Sequence, residues 1–128
     1  MPRFRQSLTV SPQEFDHWIH EALAGLPAPF AALAGEVSIV VEDEPSANVL
    51  QEFELESGDD LLGLYQGVSI DETSFFQPAG ELPARIALYR GPILRLCRTR
   101  SDVIQEVRDT VVHELGHHVG LEDEDMPY

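Results

Sequence analysis

The sequence predicts an α+β fold, a small sheet of about three strands packed against an N-terminal helix and a longer C-terminal helix. Three observations carry that expectation. Phe15, Trp18, Ile19, Ala22, Leu23 and Leu26 recur at helical spacing and form an apolar stripe. Short runs rich in β-branched and aliphatic residues, at 36–42, 61–67 and 85–90, read as strands separated by proline, glycine and acidic residues. A long helical pattern then occupies the chain from Thr99–Asp102 to about Val119.

At 128 residues the chain is expected to form one domain, 1–128, large enough for a core of its own. It carries 8 basic and 23 acidic residues, a formal net charge of -15. Such a surplus argues against a general nucleic-acid binder, because affinity for phosphate needs clustered Lys and Arg. All the basic residues are arginine. Cys97 is the only cysteine, so no internal disulfide can form. No apolar run reads as a signal peptide or a membrane span, and the expected setting is a bacterial-type cytoplasm with a reduced thiol.

Each element has its own local signals. Residues 1–10 read as a lead-in. Ser11 suits an N-cap, Pro12 the first helical position, Glu14 a capping box, and Val10 with Phe15 a hydrophobic staple. Gly25 and Pro27 close this helix, with His17 and His20 turned to solvent. Residues 27–35 read as a Pro/Ala-rich connection. The segment from Ser46 to Asp60, with acidic residues alternating around Phe53 and Leu55, reads as a strand edge or an extended loop. The glycines of the second strand, Gly63 and Gly67, allow close backbone approach. Residues 68–83, with Phe75, Phe76 and Pro78, read as a long loop of the kind that often covers or binds. Gly91-Pro92 breaks the third strand, and Ile93–Cys97 reads as a helical turn.

The chemistry concentrates in the last helix. His113 and His117 are four residues apart, with Glu114 directly after the first. Positions i and i+4 stack on one face of a helix, so both imidazoles can reach one metal ion. Glu106, Asp109 and Thr110 fall on the same side, whereas Val103, Ile104, Val107, Val111, Leu115 and Val119 are read as falling opposite. His118 turns towards the apolar side and reads as a packed, hydrogen-bonded histidine. Hydrolytic zinc sites take three protein ligands and keep one position open. His113 and His117 supply two, and Glu114 is placed to take a proton from water and carry it to a leaving amine. Only the tail follows, so the third ligand comes from nearby or from upstream. Gly120 can turn the chain back in a left-handed conformation, which makes Asp123 the best-placed carboxylate, with Glu122, Glu124 and Asp125 as neighbours.

The run His113-Glu114-x-x-His117-x-x-Gly120-x-x-Asp123 resembles the extended metzincin signature, with Asp where the third His usually stands. Most of the chain is similar to the short bacterial zincin-like metallopeptidases, or minimal zincins. The likeness runs through Glu14-Phe15, Ala22-Leu23, Val40-Val41-Glu42-Asp43, Leu61-Leu62-Gly63-Leu64-Tyr65-x-Gly67, Leu82-Pro83-x-Arg85-Ile86-x-Leu88-Tyr89-Arg90 and Thr110-Val111-Val112-His113-Glu114. The resemblance implies a mixed sheet above the active-site helix, Zn2+ held by His113, His117 and Asp123, and Glu114 as general base. The implied partner is a peptide or protein substrate paired with a sheet edge, for which Arg85–Arg90 is the candidate strand. Met126 is the only methionine after the site and reads as packing; Tyr65, Tyr89 and Tyr128 are the candidate oxyanion stabilisers. Full-size metzincins have a lower subdomain for which no counterpart is expected here.

Three alternatives remain at this stage. One is a metal-dependent endoribonuclease, prompted by Arg85, Arg90, Arg95, Arg98, Arg100 and Arg108, which could instead pair with the surplus carboxylates. Another is a non-catalytic domain stapled by its metal. The last is a deformylase-like site using Cys97, against which a core cysteine is the simpler reading.

Overall fold

A computed structural model describes residues 8–67 and 84–120. Helix α1, Pro12–Ala24, starts where Ser11 accepts a hydrogen bond from the Glu14 amide, and it buries Phe15, Trp18, Ile19 and Ala22. Helix α2, Phe30–Ala34, follows, then strand β1, Ser38–Glu42, and helix α3, Ala47–Glu52. A 3-10 turn at Gly58–Asp60 leads into strand β2, Gly63–Gln66. Strand β3, Arg85–Tyr89, runs directly into helix α4, Arg90–Leu96, and helix α5, Arg100–His118, follows.

The sheet order is β1-β3-β2, with β1 parallel and β2 antiparallel to β3. The architecture is thus the expected α+β arrangement with a small mixed sheet. It corrects one expectation directly. Strand β3 is central, and its hydrogen-bonding groups on both sides go to β1 and β2, so Arg85–Arg90 cannot offer an edge to a substrate. The signal was in the sequence. Ile86-Ala87-Leu88-Tyr89 is a continuous apolar run, buried throughout, as a strand covered on both faces requires.

Three local readings also change. The Pro/Ala connection holds α2, since Phe-Ala-Ala-Leu-Ala has good helix formers between Pro29 and Gly35. The segment after Pro45 is helical rather than extended, because Ser46 caps α3 by accepting from the Val49 amide at 3.1 Å. The alternating acids there therefore do not mark a strand face. Helix α4 begins at Arg90 rather than Ile93. Pro92 falls in its first turn, where a missing N–H costs nothing.

Helix α5 packs against α1, α2, α4, β2 and β3. Its start is settled at Thr99, whose hydroxyl accepts from the Asp102 amide while the Asp102 carboxylate accepts from the Thr99 amide, a complete capping box. The core joins Phe15, Trp18, Ile19 and Ala22 with Ile86, Leu88, Ile93, Cys97, Val103, Val107, Val111, Val112 and Leu115. Cys97 is a core residue, as the simpler reading held. The loop at 68–83 lies outside the described residues.

Candidate metal centre

The site is built on the last two turns of α5. His113, Glu114 and His117 each offer a ligand atom, and these atoms lie within 4.8 Å of one another. The two imidazoles meet edge to face, with ring centroids 5.1 Å apart. Both histidines are half-buried, whereas Glu114 is buried. Two imidazole nitrogens beside a carboxylate match the N and O donors of a catalytic zinc site.

The surroundings of α5 differ from a simple two-faced helix. Thr110, Glu114 and His118 are all buried. They follow one another at four-residue spacing, so they form one stripe along the helix. Strand β2 lies on this stripe. A Cβ built on Gly63 would stand 2.6 Å from Thr110 Cγ2, so only glycine lets the strand approach this closely. Two residues on, the Tyr65 main-chain N–H donates to Glu114 Oε1 at 2.8 Å. The Tyr65 hydroxyl then reaches His118 Nδ1 at 3.0 Å, and His118 Nε2 meets Glu36 Oε1 at 3.2 Å. The reading of His118 as a packed, hydrogen-bonded histidine therefore holds.

The helix ends as its chemistry predicts. The Gly120 amide donates to the His117 carbonyl at 3.0 Å, and Gly120 has φ 89°, in the left-handed region that glycine favours. Asp123, its acidic neighbours Glu122, Glu124 and Asp125, and also Met126 and Tyr128, lie outside the described residues.

Of the candidate tyrosines among the described residues, Tyr65 is bonded to this helix, at Glu114 and His118. Tyr89 is buried on β3. Burial, and then the carboxylate of Glu42, holds its hydroxyl above the usual phenol range, so it stays protonated at neutral pH. The tie from Tyr65 to Glu114 is a contact at the candidate site that sequence reasoning missed. Every residue but proline carries a main-chain N–H, so nothing in the residue type marks the one that is used.

Among the described residues, four arginines pair with carboxylates. Arg85 pairs with Glu42 at 3.4 Å, Arg90 with Asp43 at 3.0 Å, Arg95 with both Glu44 and Asp59, and Arg100 with Glu21. Arg108 donates to the carbonyl of Ala22. The carboxylate pairs of those four match the reading in which the arginines meet the surplus carboxylates.

The comparisons with known proteins follow the same lines. A family model described as zincin-like metallopeptidase matches residues 34–128, which span the sheet and α5. No curated protein matches the chain. Among solved structures, a conserved hypothetical protein from Thermo thermophilus is similar at 25% identity and a TM-score of 0.55, over 85% of this chain and 94% of that one.

Proposed function

Because the chain belongs to the zincin-like metallopeptidase family, we propose that it is a zinc-dependent peptidase, with His113, His117 and Asp123 holding the ion and Glu114 as general base. The observation that carries this reading is the grouping of His113, Glu114 and His117 at the end of α5, beside strand β2. Bound zinc supplies Lewis-acid chemistry, polarising the scissile carbonyl and making water easier to deprotonate.

The chain's own residues do the rest. Glu114 is held by the Tyr65 N–H rather than left to swing, which supports its role as base instead of ligand. From that position it accepts a proton from the attacking water and returns it to the departing amine. Strand β2 borders the site and, among the described residues, pairs with β3 alone, so an extended peptide is read as lying along its other side. This replaces Arg85–Arg90 in that role. Tyr89, kept protonated by burial, remains a hydrogen-bond donor on the neighbouring strand. A reducing cytoplasm suits the buried thiol of Cys97.

The test is digestion of a peptide library by the zinc-loaded protein beside Glu114→Gln. The variant is expected to keep its metal and lose hydrolysis by about 100-fold or more. Equal turnover in the two would reject the role of Glu114. Metal analysis decides the ligands: His113→Ala and Asp123→Ala are each expected to lose the ion, and full occupancy in Asp123→Ala would remove that residue from the set.

A further inference from the structure

Glu36, His118 and Tyr65 lie outside the ligand-and-base set, yet they form a continuous chain of hydrogen bonds to it. His118 is 5% exposed, and both of its ring nitrogens are engaged. A Glu36 carboxylate accepts from Nε2, and in a neutral imidazole ring Nδ1 then accepts from the Tyr65 hydroxyl. The bonds therefore run in one direction, from Tyr65 through His118 to Glu36, just ahead of β1. Tyr65 is thereby tied to α5 twice, through its N–H at Glu114 and through its hydroxyl at His118. These attachment points are four residues apart, about 6 Å along a helix. The tyrosine spans one helical turn.

Strand β2 matches that spacing. Gly63 rests on Thr110 and Tyr65 meets Glu114, so two strand residues, about 6.8 Å, cover one turn of α5. A slip of the strand would move the Tyr65 N–H away from the carboxylate and flip Tyr65 to the other face.

We propose that Tyr65, His118 and Glu36 are positioning residues for the peptidase reaction: their hydrogen-bonded strap locks β2 in register on α5 and so holds the Glu114 carboxylate on the Tyr65 N–H. This rests on the reading of Glu114 as the base. It assigns the histidine next to His117 a task separate from metal binding, and it makes a side chain on β2 responsible for the direction in which a base on α5 points.

The test reads the amide of residue 65 directly, by hydrogen exchange in the 15N-labelled full chain, with and without zinc. In Tyr65→Phe the ring and the amide remain and only the hydroxyl is lost. The residue 65 amide is expected to exchange about tenfold faster, while those of Ile86 and Leu88 in β3 stay within about twofold. Kinetics on a cleaved peptide are expected to show kcat falling about tenfold with KM unchanged. Unchanged exchange at residue 65, or a loss shared equally by Ile86 and Leu88, overturns the strap. Glu36→Gln, which alters a half-exposed side chain, provides the same readout should Tyr65→Phe fail to fold, and a smaller acceleration confined to residue 65 is expected. Absence of any peptidase activity would overturn the functional reading, while the exchange data would still decide the strap.

Discussion

Gly63 and Gly25 are alike in the sequence and differ in what surrounds them. A Cβ on Gly63 would meet Thr110 Cγ2 at 2.6 Å and the Ala87 carbonyl at 3.1 Å, both in the packed sheet-helix contact. The nearest atoms to a Cβ on Gly25 belong to the guanidinium of Arg108, the far end of a flexible side chain. Gly63→Ala is therefore expected to destabilise by about 1–3 kcal/mol through overpacking. Gly25→Ala should cost under about 1 kcal/mol, within the range of tolerated surface changes. Urea unfolding of both variants checks this, and equal costs would contradict it. Removing the offending methyl in Gly63→Ala/Thr110→Ser should recover part of the loss. The sequence marked Gly63 as a place of close approach. What approaches it, and hence the size of the penalty, came from the fold.

Helix α5 is held by its cap and burdened by its polar stripe. Thr99→Ala is expected to cost about 1 kcal/mol by freeing the Asp102 amide. Because this helix carries the site, the loss should appear as a lower midpoint in thermal unfolding, and an unchanged midpoint would discount the cap. Two carboxylates on α5 titrate in opposite senses. The Arg98 and Thr99 amides hold the Asp102 carboxyl below its usual range, so its contribution is present above the ordinary aspartate pKa and fades as pH falls through the lowered one. Burial, and then the charge of Asp109, raises the Glu106 carboxyl. The folded state binds that proton more tightly, so stability falls as pH rises from the ordinary glutamate pKa through the raised one. Glu106→Gln is expected to flatten this fall and to raise the melting temperature at neutral pH. Melting curves between roughly pH 4 and 7 test it; a melting temperature at or below that of the parent at pH 7 would refute it. The capping box was readable because its residues are three apart, though competing caps hid which one is used. The burial of Thr110 and Glu114 was not, since a helical wheel shows spacing and not what covers each side.

Over the whole molecule the charge surplus governs the response to salt. The arginine pairs are exposed, and each such pair is worth about 0–1 kcal/mol. Against them stands the mutual repulsion of a net -15 charge. Salt screens both, but the repulsion has more members and longer range. The melting temperature is thus expected to rise between about 10 and 200 mM NaCl, where the Debye length drops from about 30 to below 10 Å. A fall over that range would show that the pairs dominate. The clustering of arginines along the later sequence was legible; their pairing with Glu21, Glu42, Asp43, Glu44 and Asp59 needed the chain to be folded.

What the sequence determined by itself is local and periodic. Ser11 and Gly120 bound their helices through bonds to residues within one turn, and the i, i+4 spacing brings His113 and His117 together on any α-helix. What only the tertiary structure decided is which strand lies in the middle, which lies along α5, and which amide holds Glu114. Strand order depends on contacts between segments far apart in the chain, and main-chain donors are the same at nearly every residue. Their selection by Glu114 follows from packing, here from a glycine small enough to bring β2 down onto the helix.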